Sequence, residues 1–222
     1  MRYRAKMTLG TFFMKTKNSQ KGLSTNDFTI RSALKEVLKK QHARDKELRI
    51  IEELGVRHGN VRIDIAVVNG IMHGYEIKSD RDTLERLPKQ MTEFNAVFDR
   101  VTLVVGKQHL YRAIHIVPDW WGVTIAKINT RGRVVFQTIR EPEDNKKQDK
   151  VSIARLLWRE EALRILEERD QADGVRSKPR EFVYQRLADV LEADILKDRV
   201  RKTLLVPRED WRFGLAPLSH GG

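Results

Sequence analysis

Asp64, Glu76 and Lys78 have the residue types and spacing that suit metal-dependent phosphate chemistry, and they lie in segment 62–78. Two carboxylates provide the hard oxygen ligands of Mg²⁺, which keeps several waters in protein sites. Such a metal lowers the pKa of a bound water and neutralises a scissile phosphate. Lys78 lies two residues after Glu76, so in a strand it points to the same side and can orient the nucleophile or stabilise charge on the phosphate. The set predicts a magnesium-dependent phosphodiesterase site that needs no nucleophilic side chain.

The dipeptide Asn69-Gly70 lies between two β-type runs and predicts a hairpin. A strict two-residue loop would place Asp64 and Glu76 on opposite faces of the sheet. A three-residue loop at 68–70, with a bulge at Gly70 or Gly74, instead pairs Arg62 with Glu76 and Asp64 with Gly74. We predict this second register, because Asp64, Glu76 and Lys78 then share one face and the two carboxylates can share a cation. The other face becomes apolar through Ile63, Ile65, Val67, Tyr75 and Ile77.

Asp64 followed by Glu76-Ile77-Lys78 resembles the core motif of the PD-(D/E)xK nuclease superfamily, although Ile63 stands where the family often has Pro. The resemblance implies an α/β fold: a restriction-endonuclease-like mixed sheet flanked by helices, with an αβββαβ core. It also implies metal ligands at Asp64 and Glu76 and a catalytic cation at Lys78. The run from 52 to 121 further resembles an uncharacterised bacterial family of nuclease-like proteins, which implies no specific substrate.

Gln90 and Glu53 are expected to support this site. The segment 90–94 resembles the Gln-x-x-x-Tyr helix motif of the RecB-like branch, with Phe94 in place of Tyr. Nucleases of this superfamily often carry a further metal-supporting acid on the first helix, and Glu52 and Glu53 occupy that place. We prefer Glu53, and the alternative is a solvated helix end capped by Gly55.

Three basic residues are predicted to contact nucleic acid. Arg86 and Lys89 lie in the N-terminal part of the helix that carries Gln90, where positive groups can face a phosphate. Arg62 lies on the same strand as Asp64. We expect all three side chains to bind the phosphate backbone.

The surrounding patterns predict the elements that hold these residues. Residues 27–54 are expected to be helical, 61–79 to form the hairpin, 82–98 an amphipathic helix and 101–105 a buried strand. Beyond them we predict a strand at 111–117, a hairpin from 123–126 and 134–138, and a linker or exposed loop at 141–150. Helical spacing of apolar residues then predicts a helical C-terminal region over 141–222.

The charge balance indicates a polyanionic partner. The chain has 43 Lys and Arg against 31 Asp and Glu, a net charge of +12, which favours nucleic acid, and we expect DNA. We divide the chain into a basic N-terminal arm at 1–26, a nuclease-like domain at 27–140 and the helical region at 141–222. The arm either tracks phosphates or only aids solubility.

Composition also excludes several classes of protein. The chain has no Cys, so it has no disulfide, thiolate zinc site or Cys nucleophile, which suits a reducing cytoplasm. No segment is long and apolar enough to span a membrane, and no secretory signal is evident. We therefore expect a soluble cytoplasmic protein with no membrane contact.

The sequence predicts a Mg²⁺-dependent deoxyribonuclease, with Mn²⁺ as an alternative metal. A second interpretation is a nucleic-acid-binding module that keeps the fold without cleavage. A third is a nuclease subunit that is active only with a protein partner. The C-terminal helices are expected to pack on the nuclease core or on a second subunit, and the alternative is a helix-turn-helix.

Overall fold

The computed structural model describes residues 24–208, and its strands form one mixed sheet. The order in the sheet follows the chain: β1 and β2, β2 and β3, and β5 and β6 pair antiparallel, while β3, β4 and β5 run parallel. The predicted α/β class, a mixed sheet flanked by helices, is confirmed. The strands are β1 (Arg49–Val56), β2 (Val61–Val68), β3 (Met72–Lys78), β4 (Arg100–Gly106), β5 (Gly122–Ile128) and β6 (Val134–Arg140).

Helices cover both faces of the sheet. The helices are α1 (Asp27–Gln41), α2 (Leu87–Asn95), α3 (Leu110–Ile116), α4 (Lys150–Ala154), α5 (Arg159–Glu167), α6 (Arg180–Val190) and α7 (Ala193–Leu205). Buried residues of α1 form a smaller apolar cluster with β2, β3, β4 and β5. Buried residues of α2 to α7 form a larger cluster with the sheet. The sheet therefore lies between α1 and the other helices.

The first helix is shorter than predicted. Asn26 caps α1, with a capping box to Thr29, and apolar residues at 30, 34 and 38 bury one face of the helix. The helix ends at Gln41, so the expectation that 27–54 is helical is wrong for its second part. Residues 49–56 form β1, because pairing with β2 lets Ile51, Leu54 and Val56 enter the larger cluster.

The β2–β3 hairpin has a different register from the predicted one. Val68 pairs with Met72 and Ala66 with Gly74, so the loop is 69–71, with Gly70 at a φ of +95°. The predicted pairs of Arg62 with Glu76 and Asp64 with Gly74 are therefore wrong. The loop has the expected length but begins at Asn69, which shifts the pairing by two residues. A shift by an even number keeps each residue on its predicted side of the strand.

Strand β2 changes its buried side at Asp64. Ile65 and Val67 pack in the smaller cluster, as do Ile77 and Tyr75 of β3, which confirms most of the predicted apolar face. Ile63, however, packs in the larger cluster, so its predicted place on that face is wrong. The pairing with β1 keeps the same register on both sides, Glu52 with Ile65 and Leu54 with Ile63. Glu53, which lies between those partners, has a φ of +53°, so both strands rotate at this point.

Downstream elements agree with the sequence except at one helix. Helix α2 is shorter than the expected 82–98, β4 is a buried central strand, and β5 and β6 form the predicted hairpin. The predicted strand at 111–117 is wrong, because 110–116 form α3. Strands β4 and β5 are parallel and adjacent, and a parallel pair needs a crossover connection, which α3 supplies.

The predicted linker at 141–150 is hydrogen-bonded to the end of α2 and to the connection between α2 and β4. The Asn145 side chain donates to the carbonyls of Asn95 and Phe98, and Gln148 donates to the carbonyl of Val97. The following helices share the larger cluster with the sheet, which agrees with the prediction that they pack on the core. Most of the predicted basic arm, residues 1–23, lies outside the described residues. Among residues 24–208, none of the helices has the length and apolar character needed to span a membrane.

Candidate functional site

A cleft of about 400 Å³ brings together the residues that the sequence singled out. It lies where β2 and β3 separate, between the start of α1 and the start of α2. All eight predicted site residues line it, namely Glu53, Arg62, Asp64, Glu76, Lys78, Arg86, Lys89 and Gln90. Residues that are distant in sequence therefore share one small volume.

Asp64 closes the gap between the two hairpin strands. The last ladder pair is Ile65 with Tyr75, and beyond it the Asp64 Oδ2 atom accepts a hydrogen bond of 2.6 Å from the Ile77 amide. The Oδ1 atom lies 2.6 Å from a guanidinium nitrogen of Arg31. Burial raises the pKa of Asp64 to about 6, although the Ile77 bond and Arg31 oppose this shift. The carboxylate is thus held at the cleft by one strand and one helix.

Glu76 is a buried carboxylate with an unused oxygen. Its Oε1 atom accepts from Lys78 Nζ at 2.6 Å and from Gln90 Nε2 at 2.7 Å. Its Oε2 atom is buried without a hydrogen-bond partner among the described residues, and so is Gln90 Oε1. Burial, together with the nearby charge of Asp64, raises the pKa of Glu76. Two buried acceptors at one cleft are an unsatisfied arrangement that a cation or an ordered water would relieve.

Glu53 reaches the cleft from β1 and not from a helix, which corrects its predicted position. It forms an ion pair with Arg31. Glu52, one residue earlier, bonds Lys35 instead and does not line the cleft. Both glutamates therefore pair with cations of α1, and of the two only Glu53 lines the cleft.

Arg31 is the site residue that sequence reasoning missed. It lies on α1, lines the cleft and contacts Asp64 and Glu53, and it also lies 3.2 Å from Asp27 one turn earlier. The available signal was the spacing of Asp27 and Arg31 by four residues beside the buried Ile30. That pattern is common on solvated helices, so it does not by itself indicate a functional site.

The rim of the cleft carries positive charge. Arg62, Arg86 and Lys89 are exposed and line the cleft, as predicted. Within the described part of the chain, no ion pair neutralises any of the three. Their charges are therefore available to an anion that enters the cleft.

The residues present offer carboxylate oxygens of the kind that a magnesium ion takes as ligands. Residues 24–208 contain no group of three or more His, Asp or Glu arranged to hold a metal. Two carboxylates, Asp64 and Glu76, face the cleft, and one oxygen of Glu76 is unpartnered. Mg²⁺ usually takes only one or two protein carboxylates and completes its shell with water and substrate oxygens. The oxygen donor set therefore fits Mg²⁺ or Mn²⁺.

Comparison with known proteins places the chain in a family. Over 55 residues it is 44% identical to protein cII of Enterobacteria phage P4, an alignment that spans 25% of this chain and only 21% of that protein. The SPO1766 protein of unknown function from Silicibacter pomeroyi is 20% identical, with a TM-score of 0.36, over 62% of this chain and 90% of that one. The family model of bacteriophage P4 protein cII matches residues 21–207. The chain therefore belongs to the bacteriophage P4 protein cII family.

Proposed function

We propose that this protein is a Mg²⁺-dependent nuclease that hydrolyses phosphodiester bonds of DNA, with Mn²⁺ as an alternative metal. The observation that carries the proposal is the environment of Glu76, whose buried Oε2 atom is unpartnered while its other oxygen binds Lys78 and Gln90. Asp64 lines the same cleft. Burying a carboxylate beside a lysine costs desolvation free energy, and a functional role at this cleft would account for that cost.

The order of the elements supports membership of the PD-(D/E)xK superfamily and a restriction-endonuclease-like fold. The described part of the chain begins with α1, β1, β2, β3, α2 and β4, which is the αβββαβ order that the resemblance implies. Asp64 lies at the end of the β2–β3 ladder, and Glu76 and Lys78 lie on β3. We assign the motif to these three residues.

In this proposal Asp64 and Glu76 hold the metal, with Glu53 in support. The bound ion would supply a water of lowered pKa and neutralise charge on the scissile phosphate. The Ile77 amide fixes the Asp64 carboxylate through its 2.6 Å bond. Gln90 fixes Glu76 through its 2.7 Å bond, so Gln90 is a positioning residue. Both carboxylates are thereby held in place before substrate enters the cleft.

Lys78 provides a fixed positive charge in the cleft. Its ammonium lies 2.6 Å from Glu76 Oε1 and its side chain is buried. An ammonium has three donors, so two remain to orient an attacking water or to stabilise charge that develops on the phosphoryl oxygens. At a buried position such a charge acts more strongly than at the surface.

The exposed cations around the cleft suit a polyanionic substrate. Arg62, Arg86 and Lys89 line it, and the net charge is +12. Such cations displace counterions from nucleic acid and bind its phosphates without reading its sequence. DNA is the partner that we propose.

A non-catalytic nucleic-acid-binding module is the second candidate function. The observation that favours it is Arg31, which already pairs with Asp64 and Glu53 from within the chain. In that case the carboxylates serve the fold, and the basic rim alone contacts nucleic acid. A nuclease subunit that needs a protein partner at its C-terminal helices remains a variant of the first proposal.

A cleavage assay with matched variants tests the proposal. Purified protein should cleave at least one single- or double-stranded DNA with Mg²⁺ or Mn²⁺. A chelator should stop the cleavage, and Ca²⁺ should support it poorly. Asp64→Asn, Glu76→Gln and Lys78→Met should each lower turnover by orders of magnitude. Glu52→Gln is the matched control, because Glu52 bonds Lys35 away from the cleft, and it should cleave like the wild type.

Two results would contradict the nuclease assignment. If the wild type binds DNA tightly but cleaves no DNA or RNA with metal and partner proteins present, the binding-module function is correct. If all three variants cleave as fast as the wild type, the hydrolysis does not occur at this cleft.

A further inference from the structure

Arg31 contacts the same carboxylates that the proposed metal needs. One of its terminal nitrogens lies 2.6 Å from Asp64 Oδ1, and the other pairs with Glu53 and lies 3.1 Å from the Asp64 carbonyl. Asp27 lies 3.2 Å from the guanidinium on its own helix. Only 16% of the Arg31 side chain is exposed. The guanidinium is therefore an internal counterion of the site.

The charges around Arg31 are unbalanced. Three carboxylates, from Asp27, Glu53 and Asp64, contact one cation. Burial tends to lower the pKa of Arg31, but the three carboxylates outweigh it and the pKa is raised. The three carboxylates outnumber the one guanidinium, so this group of side chains still attracts a second cation.

The geometry makes Arg31 and a metal compete for Asp64. The Oδ2 atom already accepts from the Ile77 amide, and Oδ1 is occupied by Arg31. A metal at Asp64 repels the guanidinium and weakens its hydrogen bonds. The two cations therefore oppose each other unless the guanidinium can move.

Arg31 also has a place to move to. It lines the cleft whose rim carries Arg62, Arg86 and Lys89, where the phosphate of a bound nucleic acid would lie. The planar guanidinium binds phosphate oxygens with two parallel hydrogen bonds, as it binds carboxylates. Its side chain is long enough to turn its head while the stem stays on α1.

We infer that Arg31 is an exchangeable counter-cation, which pairs with Asp64 and Glu53 in the free protein and moves to a substrate phosphate when metal binds. The inference rests on the proposed function. Metal affinity is then weak without nucleic acid and rises in its presence. Because coupling between binding sites is reciprocal, metal must equally strengthen the contact between Arg31 and phosphate.

A calorimetric titration of Mn²⁺ into the full chain, without nucleic acid, tests whether Arg31 weakens metal binding in the free protein. Arg31→Gln should bind Mn²⁺ about tenfold more tightly than the wild type, within the usual range of coupling between sites. Arg31→Lys should lie between the two, because one ammonium cannot reproduce the guanidinium fork. Lys35→Gln is the matched control, since Lys35 lies one turn further along α1 and pairs with Glu52, and it should bind as the wild type does.

DNA binding in non-cleaving conditions tests whether Arg31 moves to a phosphate when metal binds. In chelator, wild type and Arg31→Gln should show the same dependence of affinity on salt, because Arg31 is held by carboxylates. With Ca²⁺ present, the salt slope of Arg31→Gln should be smaller by about 0.9, the value for one phosphate contact on duplex DNA.

The outcomes separate this inference from the proposed function. If Arg31→Gln and Arg31→Lys bind Mn²⁺ no more tightly than the wild type, Arg31 is a structural counterion and the inference is wrong, while the metal site stands. If Arg31→Gln does not fold, Arg31→Lys decides alone. If the wild type and all variants fail to bind Mn²⁺, the proposed function fails together with the inference.

Discussion

The partly buried His73 should make the fold sensitive to acid. Its ring stacks on Tyr75 with centroids 4.2 Å apart, and its Nε2 atom lies 2.9 Å from Thr102 Oγ1. Burial lowers the pKa of His73 to about 3, and the nearby charges of Arg100 and His42 add to the effect. The folded protein therefore keeps this ring neutral over a pH range in which the unfolded chain protonates it.

The magnitude follows from the two pKa values. Below the unfolded value of 6.5, the unfolded state binds a proton that the native state does not, so the free energy of unfolding falls as pH falls. Each pH unit between 6.5 and about 3 costs about 1.4 kcal/mol. At pH 4.5 the loss attributable to His73 is about 2.7 kcal/mol. This is a large part of the stability of a typical domain.

Urea unfolding of the wild type and of His73→Gln at pH 7.5 and 4.5 measures this loss. Carboxylates titrate in both proteins, so they cancel when the two pH-dependent changes are subtracted. We expect the wild type to lose about 2.7 kcal/mol more than the variant. His115→Gln, at an exposed histidine, should lose as much as the wild type. Equal losses in the wild type and His73→Gln would refute the reasoning.

Three further predictions concern the site and its frame. Gln90→Ala should lower kcat at least tenfold with little change in the urea midpoint, and a large loss of stability with unchanged cleavage would make Gln90 structural. Gly106→Ala should lower the free energy of unfolding by about 3 kcal/mol, because its Cβ would lie 2.5 Å from the Asp80 amide; an unchanged midpoint would contradict this. The three cations at the rim of the cleft are Arg62, Arg86 and Lys89. Replacing all three by Gln should lower the salt slope of DNA binding by about 2.7, and an unchanged slope would mean that DNA binds elsewhere.

The hairpin shows how much local pattern can predict. Alternating apolar residues and Asn69-Gly70 predict two strands and a three-residue loop, and both are present. The loop begins one residue later than predicted. Gly74 therefore pairs with Ala66 and not with Asp64, a shift of two residues. A shift by two residues leaves Glu76 and Lys78 on the predicted face of the sheet, because side chains alternate between the two faces with a period of two.

Two elements were misassigned because tertiary context overrides local periodicity. Residues 49–56 have apolar side chains at 50, 51 and 54, which match a helical spacing as well as a strand. They form β1 because the edge of β2 is available for pairing. Residues 111–117 are rich in β-branched and aromatic residues, which is typical of a strand. They lie, however, between two parallel strands, where the chain must cross over the sheet.

Arg31 and Glu53 show why the environment of the predicted metal ligands could not be anticipated. Arg31 contacts Asp64 across 33 positions of sequence, and Glu53 reaches the cleft from a strand that the periodicity assigned to a helix. A motif specifies which residue types meet on neighbouring strands. It carries no information about a counterion contributed by another element, so the charge state of the site depends on packing that only the fold determines.

The rotation of β2 at Asp64 connects the fold to the proposed chemistry. In a regular antiparallel ladder, a backbone carbonyl of β2 would accept from the Ile77 amide, and Asp64 would have no such role. Glu53 takes a positive φ opposite Asp64, and at this point Ile63 enters the larger cluster. The Asp64 carboxylate then replaces the missing ladder acceptor. The position of this carboxylate therefore goes together with a break in the sheet, in which Glu53 of the neighbouring strand takes part.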